Sequence, residues 1–289
     1  MEQLFNTAVS IVFDGIAFAM ILFIISVGLS VTMGLMGFVN LAHGAFAMLG
    51  GYLSMSFATS LGIPFLLAVI LCFIAVALIS VVFERLLYAR FYGASDLDQV
   101  LLTIGLVFMA IAGATLVWGP LNVQLNVPSY LKGQVNLGFR EFPTYRTFII
   151  VVSVAIIIGL WYGLERTRIG AMIRAAVDNR RMAQSIGIDV DRLFTLTFAL
   201  GSGLAGVGGA LGTEILGLTP TYAMEYLVYF LIVVAVGGMG SIRGAFAAAL
   251  ILGVIDTGGK YLLPEFGAFF IFFVTIAILL WRPQGLFGK

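Results

Sequence analysis

Apolar residues run through this chain in segments set apart by short polar stretches. They fall at about 11–35, 39–59, 64–83, 100–118, 147–164, 193–215, 226–239, 244–257 and 266–281. Several approach the roughly 20 residues that a bilayer-spanning helix needs. Residues 15–83 carry no Asp, Glu, Lys or Arg, enough for three passes at about 20 residues each. The pair 226–239 and 244–257 is shorter, and Gly237-Gly238-Met239-Gly240 and Gly244 divide it. That spacing predicts two tilted spans or one discontinuous helical element. The expected fold is an all-α polytopic membrane protein, one transmembrane domain over 1–289, with eight to ten membrane helices.

Composition agrees. The 289 residues are 61% hydrophobic and 10% charged, where ordinary soluble domains carry about 25% charged residues, and the mean hydropathy is +1.12. The net charge of +1 points away from nucleic acid and leaves membrane lipid as the surrounding partner. The single cysteine, Cys72, lies in an apolar run, so neither an internal disulfide nor a cysteine metal site can form. The start, Met1-Glu2-Gln3-Leu4, lacks the basic region of a signal peptide, so the first apolar segment is expected to stay as a span.

Lys and Arg in the connections set the orientation. Segments 84–99, 165–192, 240–243 and 282–289 carry Arg85, Arg90, Arg166, Arg168, Arg174, Arg180, Arg181, Arg192, Arg243, Arg282 and Lys289. The opposite side carries only Lys132, Arg140, Arg146 and Lys260. The first set is expected in the cytoplasm, with the N-terminus periplasmic, the C-terminus cytoplasmic and an odd number of crossings, nine. Residues 119–146, with Pro120, Pro128 and Pro143, read as an irregular periplasmic loop. Residues 165–192 read differently: Ile169, Ile173, Ala176 and Val177 recur at helical spacing among Arg, Ala, Met and Gln, which predicts one or two short amphipathic helices. Alternation of Arg with small and apolar residues suits a partner protein better than simple lipid anchoring.

The break Gly34-Leu35-Met36-Gly37-Phe38-Val39-Asn40-Leu41-Ala42-His43-Gly44 interrupts the uncharged run and holds the only histidine. Backbone at such a break must bond to protein or to a wet cavity, not to lipid. Asn40 is a preferred N-cap for a helix starting near Leu41. His43 then either bonds a backbone carbonyl or lines the inner part of a pathway. A second break echoes the first: Met36-Gly37 precedes Gly44-Ala45-Phe46-Ala47, and Met239-Gly240 precedes Gly244-Ala245-Phe246-Ala247. Transporters place Gly-interrupted segments at corresponding positions of two repeats around the substrate route. Gly37, Asn40, His43, Gly44, Gly238 and Gly240 are therefore the candidate pathway residues.

Several chemistries are set aside. Gly201-Ser202-Gly203-Leu204-Ala205-Gly206 matches a dinucleotide string but opens no strand–helix unit. With Gly208 and Gly212 it reads as a face for close helix packing, and Gly240 with Gly244 as another. No Walker A sequence, H-E-x-x-H pair or G-x-S-x-G elbow is present, so no catalytic residue, bound cofactor or metal is expected in this chain. The membrane acids sit near the ends of spans: Glu214 follows Arg192 by about 33 Å of helix, Asp14 opens the first span, and Asp256 and Lys260 can pair at i, i+4.

The break motif resembles the hallmark near the N-terminus of branched-chain amino acid permeases of bacterial ABC importers, of the first of their two permease types. Glu84-Arg85, Arg174-Ala175-Ala176 through Asn179, Ala183 and Gly187-Ile188, Gly237 to Ile242 with Gly244-Ala245, and Arg282-Pro283-Gln284-Gly285-Leu286-Phe287-Gly288 agree in order. The resemblance implies a hetero-oligomer in the inner membrane: a second related permease, two cytoplasmic ATPase subunits holding ATP and Mg, and a periplasmic substrate-binding protein. It implies that 165–192 is the ATPase-coupling segment, with Arg174, Asp178, Asn179, Arg180, Arg181, Ala183 and Gly187 as its residues. Hydrophobic amino acids are the first substrate class. Urea, short amides and aromatic acids fit the same family pattern, and a self-sufficient channel or facilitator is the alternative of another class.

Overall fold

A computed structural model describes residues 2–124, 127–136 and 141–288, with side chains from residue 6 onward. Arg140 and Lys289, which entered the orientation count, and parts of the 119–146 loop lie outside the described residues. Each apolar segment is a helix. In chain order the helices are α1 Glu2–Met36, α2 His43–Thr59, α3 Phe65–Leu86, α4 Asp96–Trp118, α5 Thr144–Arg166, α6 Arg168–Asp178, α7 Arg180–Ser185, α8 Val190–Leu216, α9 Tyr222–Glu225, α10 Leu227–Gly237, α11 Ile242–Leu262 and α12 Gly267–Trp281.

Six of them (α1, α3, α4, α5, α8 and α11) are long and apolar enough to cross a membrane. The other three apolar segments form α2, α10 and α12, of 17, 11 and 15 residues. At 1.5 Å per residue α10 is about 16 Å long, roughly half of a 30 Å hydrocarbon core. The region 226–257 is thus a discontinuous element: a half-length helix, a turn, then the full-length α11.

The helix α8 is the hub, because its glycines let neighbouring backbones approach where side chains would collide. A Cβ on Gly203 would fall 2.8 Å from the Phe73 ring of α3, and one on Gly206 2.9 Å from Val76. Gly28 of α1 and Gly50 of α2 face the bare backbone of Gly201 and Gly206, and Gly209 abuts Ala47. The G-x-G-x-x-G string is therefore a packing surface for three helices. Gly240 and Gly244 do not form the second helical face expected of them. Gly240 lies in the turn before α11 with φ +77°, and only Gly244 is helical, set against the Gly237 backbone.

The outward faces of α3, α4, α5 and α12 stay apolar and exposed, with Leu78, Leu116, Ile158 and Phe273 among them, as a lipid-facing rim requires. The described parts of 119–146 hold regular backbone pairing. Strands β1 Gln134–Asn136 and β2 Glu141–Pro143 pair antiparallel with Val135 opposite Phe142, and Asn122 Oδ1 accepts from the Leu218 amide at 3.1 Å.

Candidate functional site at the helix breaks and the α6–α7 segment

The ends of α1, α3, α5 and α10 and the starts of α2, α4, α8 and α11 share one end of the bundle with α6 and α7. Both sequence breaks lie there. Gly37, with φ +59°, turns the chain out of α1 while its amide donates to the Met33 carbonyl at 2.9 Å. The freed backbone is then taken up by side chains. The Val39 amide donates to Gln99 Oε1 at 3.1 Å, and the Gln99 amide nitrogen donates to the Phe91 and Ala94 carbonyls.

Asn40 acts two residues ahead of the N-cap position. The helix begins at His43 with Ala42 in the cap position and no side-chain cap. Asn40 Oδ1 instead accepts from the Ala42 amide at 3.1 Å, an Asx turn, and from the Tyr88 hydroxyl at 3.2 Å. Burial pushes the Tyr88 phenol above its ordinary range, so the hydroxyl keeps its proton and donates. His43 is 1% exposed, and its Nε2 lies 2.9 Å from the Ile25 carbonyl. With the proton on Nε2 the ring donates into α1, the bond that a structural histidine makes. A Cβ on Gly44 would sit 2.8 Å from the Ala223 carbonyl, so α2 starts hard against α9.

The second break uses two positive-φ glycines, Gly238 at +92° and Gly240 at +77°. Both echo segments are therefore left-handed glycine turns leading into a helix. The Gly240 amide donates to the Ser30 carbonyl of α1 at 3.0 Å, and a Cβ on Gly34 would lie 2.7 Å from Gly240 N. Ser241 caps α11 by accepting from the Gly244 amide at 3.0 Å. The C-terminal tail completes the turn. The Leu286 and Phe287 amides donate to the Val236 and Gly237 carbonyls at 2.7 and 3.2 Å, taking up the last acceptors of α10. The sequence named Arg282 to Gly288 only as a family mark. The local signal for its role is the flexible Pro-x-Gly pair, with Gly285 at φ +82°.

The 165–192 segment forms the two predicted short helices. Thr167 caps α6 through the Gly170 amide at 3.1 Å, and Asn179 caps α7 through Met182 at 3.0 Å. Gly187, at φ +87°, and the Ile188 amide on the Ala183 carbonyl turn the chain toward α8. Gly170, Ile173, Ala176 and Ala183 are buried and anchor the pair. Arg174, Asp178, Asn179, Arg180 and Arg181 are exposed, interleaved with exposed Ile169, Met182 and Ile186. Ala183, named with the exposed set in the sequence, belongs to the anchors. Arg180 reaches Asp191 at 3.5 Å and lies 4.7 Å above the Phe194 ring. A Cβ on Gly240 would sit 3.8 Å from Val177 Cγ1, so α6 leans on the second break.

One residue of this end was legible only as half of a dipeptide. Glu84 is 3% exposed and accepts from the Thr195 hydroxyl of α8 at 2.9 Å and from the Tyr92 hydroxyl. It ties α3 to α8 beside the α6–α7 surface. Burial, then Glu84 itself, holds the Tyr92 phenol above its usual range.

Residues 11–279 match the family described as branched-chain amino acid transport system / permease component. The chain belongs to this family. Among curated branched-chain permeases it is 28% identical to the high-affinity branched-chain amino acid transport system permease protein LivH of Salmonella typhimurium, covering 100% of this chain and 98% of that one. It is 26% identical to BraD of Pseudomonas aeruginosa, described in the same words, over 92% and 91%. A more distant relative, the fructose import permease protein FrcC of Rhizobium meliloti, is 27% identical over 76% of this chain and 62% of that protein. This permease therefore shares nine tenths or more of its length with the first two, and the third names a different solute.

Proposed function

We propose that this chain is the membrane subunit of an ATP-driven importer for branched-chain or other hydrophobic amino acids. It works beside a second related permease, above two ATPase subunits that hold ATP and Mg, and takes substrate from a periplasmic binding protein. The N-terminus is periplasmic and the C-terminus cytoplasmic. The observation that carries this reading is the α6–α7 surface, a capped pair of short helices with buried anchors and an exposed mixture of arginine and apolar side chains. Val177 of α6 lies beside Gly240 of the second break. A push on such a surface reaches the turn into α11 through Val177 beside Gly240. Agreement with LivH over the whole chain and with BraD over 92% of it supports the substrate class.

The test is reconstitution. The chain with its second permease, ATPase pair and receptor should accumulate leucine, isoleucine or valine against a gradient only when ATP is supplied. Downhill flux of the same solutes through this chain alone, with no dependence on ATP, would instead establish a facilitator.

A further inference from the structure

The opposite end of the bundle carries a cavity of about 270 Å³ between α1, α5, α8, α10 and α11. The sequence placed Asp14 near the start of the first span and Asp256 in an i, i+4 pair with Lys260. The structure puts both on the wall of this cavity, opposite Arg146 and Lys260. Asp14 pairs with Arg146 and accepts from the Tyr261 hydroxyl at 3.3 Å. Asp256 is 1% exposed; its Oδ2 accepts from Lys260 Nζ at 2.6 Å, and its Oδ1 has no partner among the described residues. The Lys260 ammonium also lies 5.6 and 5.8 Å from the Phe18 and Tyr229 ring centres.

A buried carboxylate oxygen with nothing to accept from is costly, and structures rarely retain one without a use. The lining as a whole sums to zero charge but presents both signs next to an aromatic and aliphatic wall that includes Ile215 and Leu216. A lone cation would meet Lys260 and Arg146, and a lone anion would meet Asp14 and Asp256. A molecule that carries both charges satisfies all of them. The volume matches roughly nine waters at about 30 Å³ each, room for one amino acid of the valine-to-leucine size.

We propose that this cavity is a zwitterion subsite for a free α-amino acid entering the permease. The α-ammonium donates to Asp256 Oδ1. The α-carboxylate accepts from Lys260 and Arg146, and the aliphatic side chain lies on Phe18 and Tyr229. The assignment rests on the importer reading for its substrate class. Since the ligand competes with the existing Asp256–Lys260 pair, binding is weak, as a transit site needs in order to release what it binds.

The experiment uses the full-length chain in lipid nanodiscs, with ligand-observed NMR titration of L-leucine, 3-methylbutylamine and 4-methylpentanoate. Leucine should bind saturably and at least tenfold more tightly than either single-charge analogue. Asp256→Asn and Lys260→Met should each weaken leucine at least tenfold. The wild-type analogue comparison needs no variant, so a folding failure in either substitution leaves the proposal open to refutation. Equal binding of the amine or the acid, absence of saturable leucine binding, or unchanged affinity in a folded Asp256→Asn would overturn it. ATP-dependent leucine uptake by the assembled transporter is measured in parallel. Intact uptake without leucine binding sinks the subsite alone. Zwitterion-selective binding with no uptake of any hydrophobic amino acid supports the subsite and sinks the importer reading.

Discussion

The Gly240 amide donates to the Ser30 carbonyl at 3.0 Å, so the turn between α10 and α11 is fastened to the middle of α1's last third by a backbone bond. Neither residue contributes a side chain to it. The close approach exists because Gly34, one turn further along α1, has no Cβ to block it, and because Gly240 tolerates φ +77°.

Gly240→Ala should therefore cost about 1–2 kcal/mol from the left-handed backbone alone, with α1 still able to approach. Gly34→Val should do worse, since its branched side chain starts on the Gly240 backbone. Thermal unfolding of the purified chain ranks the two. An equal or reversed order would mean that the turn is not seated as described.

The α6–α7 surface predicts a charge-reversal effect. Arg180→Glu with Arg181→Glu should leave the chain folded, because both side chains are exposed, yet abolish ATP-coupled uptake by the reconstituted complex. Receptor binding to the permease pair should persist. Unchanged uptake would remove these arginines from the docking surface.

His43→Gln should assemble and melt near wild type, because an amide nitrogen can still donate toward the Ile25 carbonyl. His43→Ala loses both the bond and buried volume, and should cost about 2 kcal/mol or more. Comparing transport of the two variants separates a structural histidine from a pathway histidine. If the well-folded Gln variant fails to transport, the ring has a task in the pathway.

The Glu84 junction gives a pH dependence. Tyr92 and Tyr88 have phenols held above their ordinary range in the folded chain. The folded state therefore keeps protons that the unfolded state releases above about pH 10, and stability falls as pH rises past that point. Below it these groups contribute no pH dependence. Tyr92→Phe should lower stability at neutral pH by about 1 kcal/mol and flatten the alkaline decline, read as melting temperature against pH.

Much of the fold was legible because hydrophobic length is a strong signal. The nine apolar segments, the short amphipathic pair at 169–188 and the break after Gly37 all appear where the pattern put them. The discontinuity at 238–241 was legible as an alternative, since Gly237, Gly238 and Gly240 crowd together, but its attachment to Ser30 was not. Pairings between distant residues leave no local trace: Glu84 with Thr195, Asn40 with Tyr88 and the tail amides with α10 join positions far apart in the chain. Asn40 misled because an Asx turn and an N-cap ask for the same side chain. Asp256 was legible in part. Its spacing gave the pair with Lys260, but not the cavity that α1, α5 and α10 close around it.

The glycine face of α8 has a mechanical consequence. Where α8 meets Gly28 of α1 and Ala47 and Gly50 of α2, backbone lies on backbone, and there is little side chain to compress or rearrange. Such a joint behaves as a fixed axle. Strain applied at the α6–α7 end then meets its play close by, where glycine turns lead out of α1 and α10.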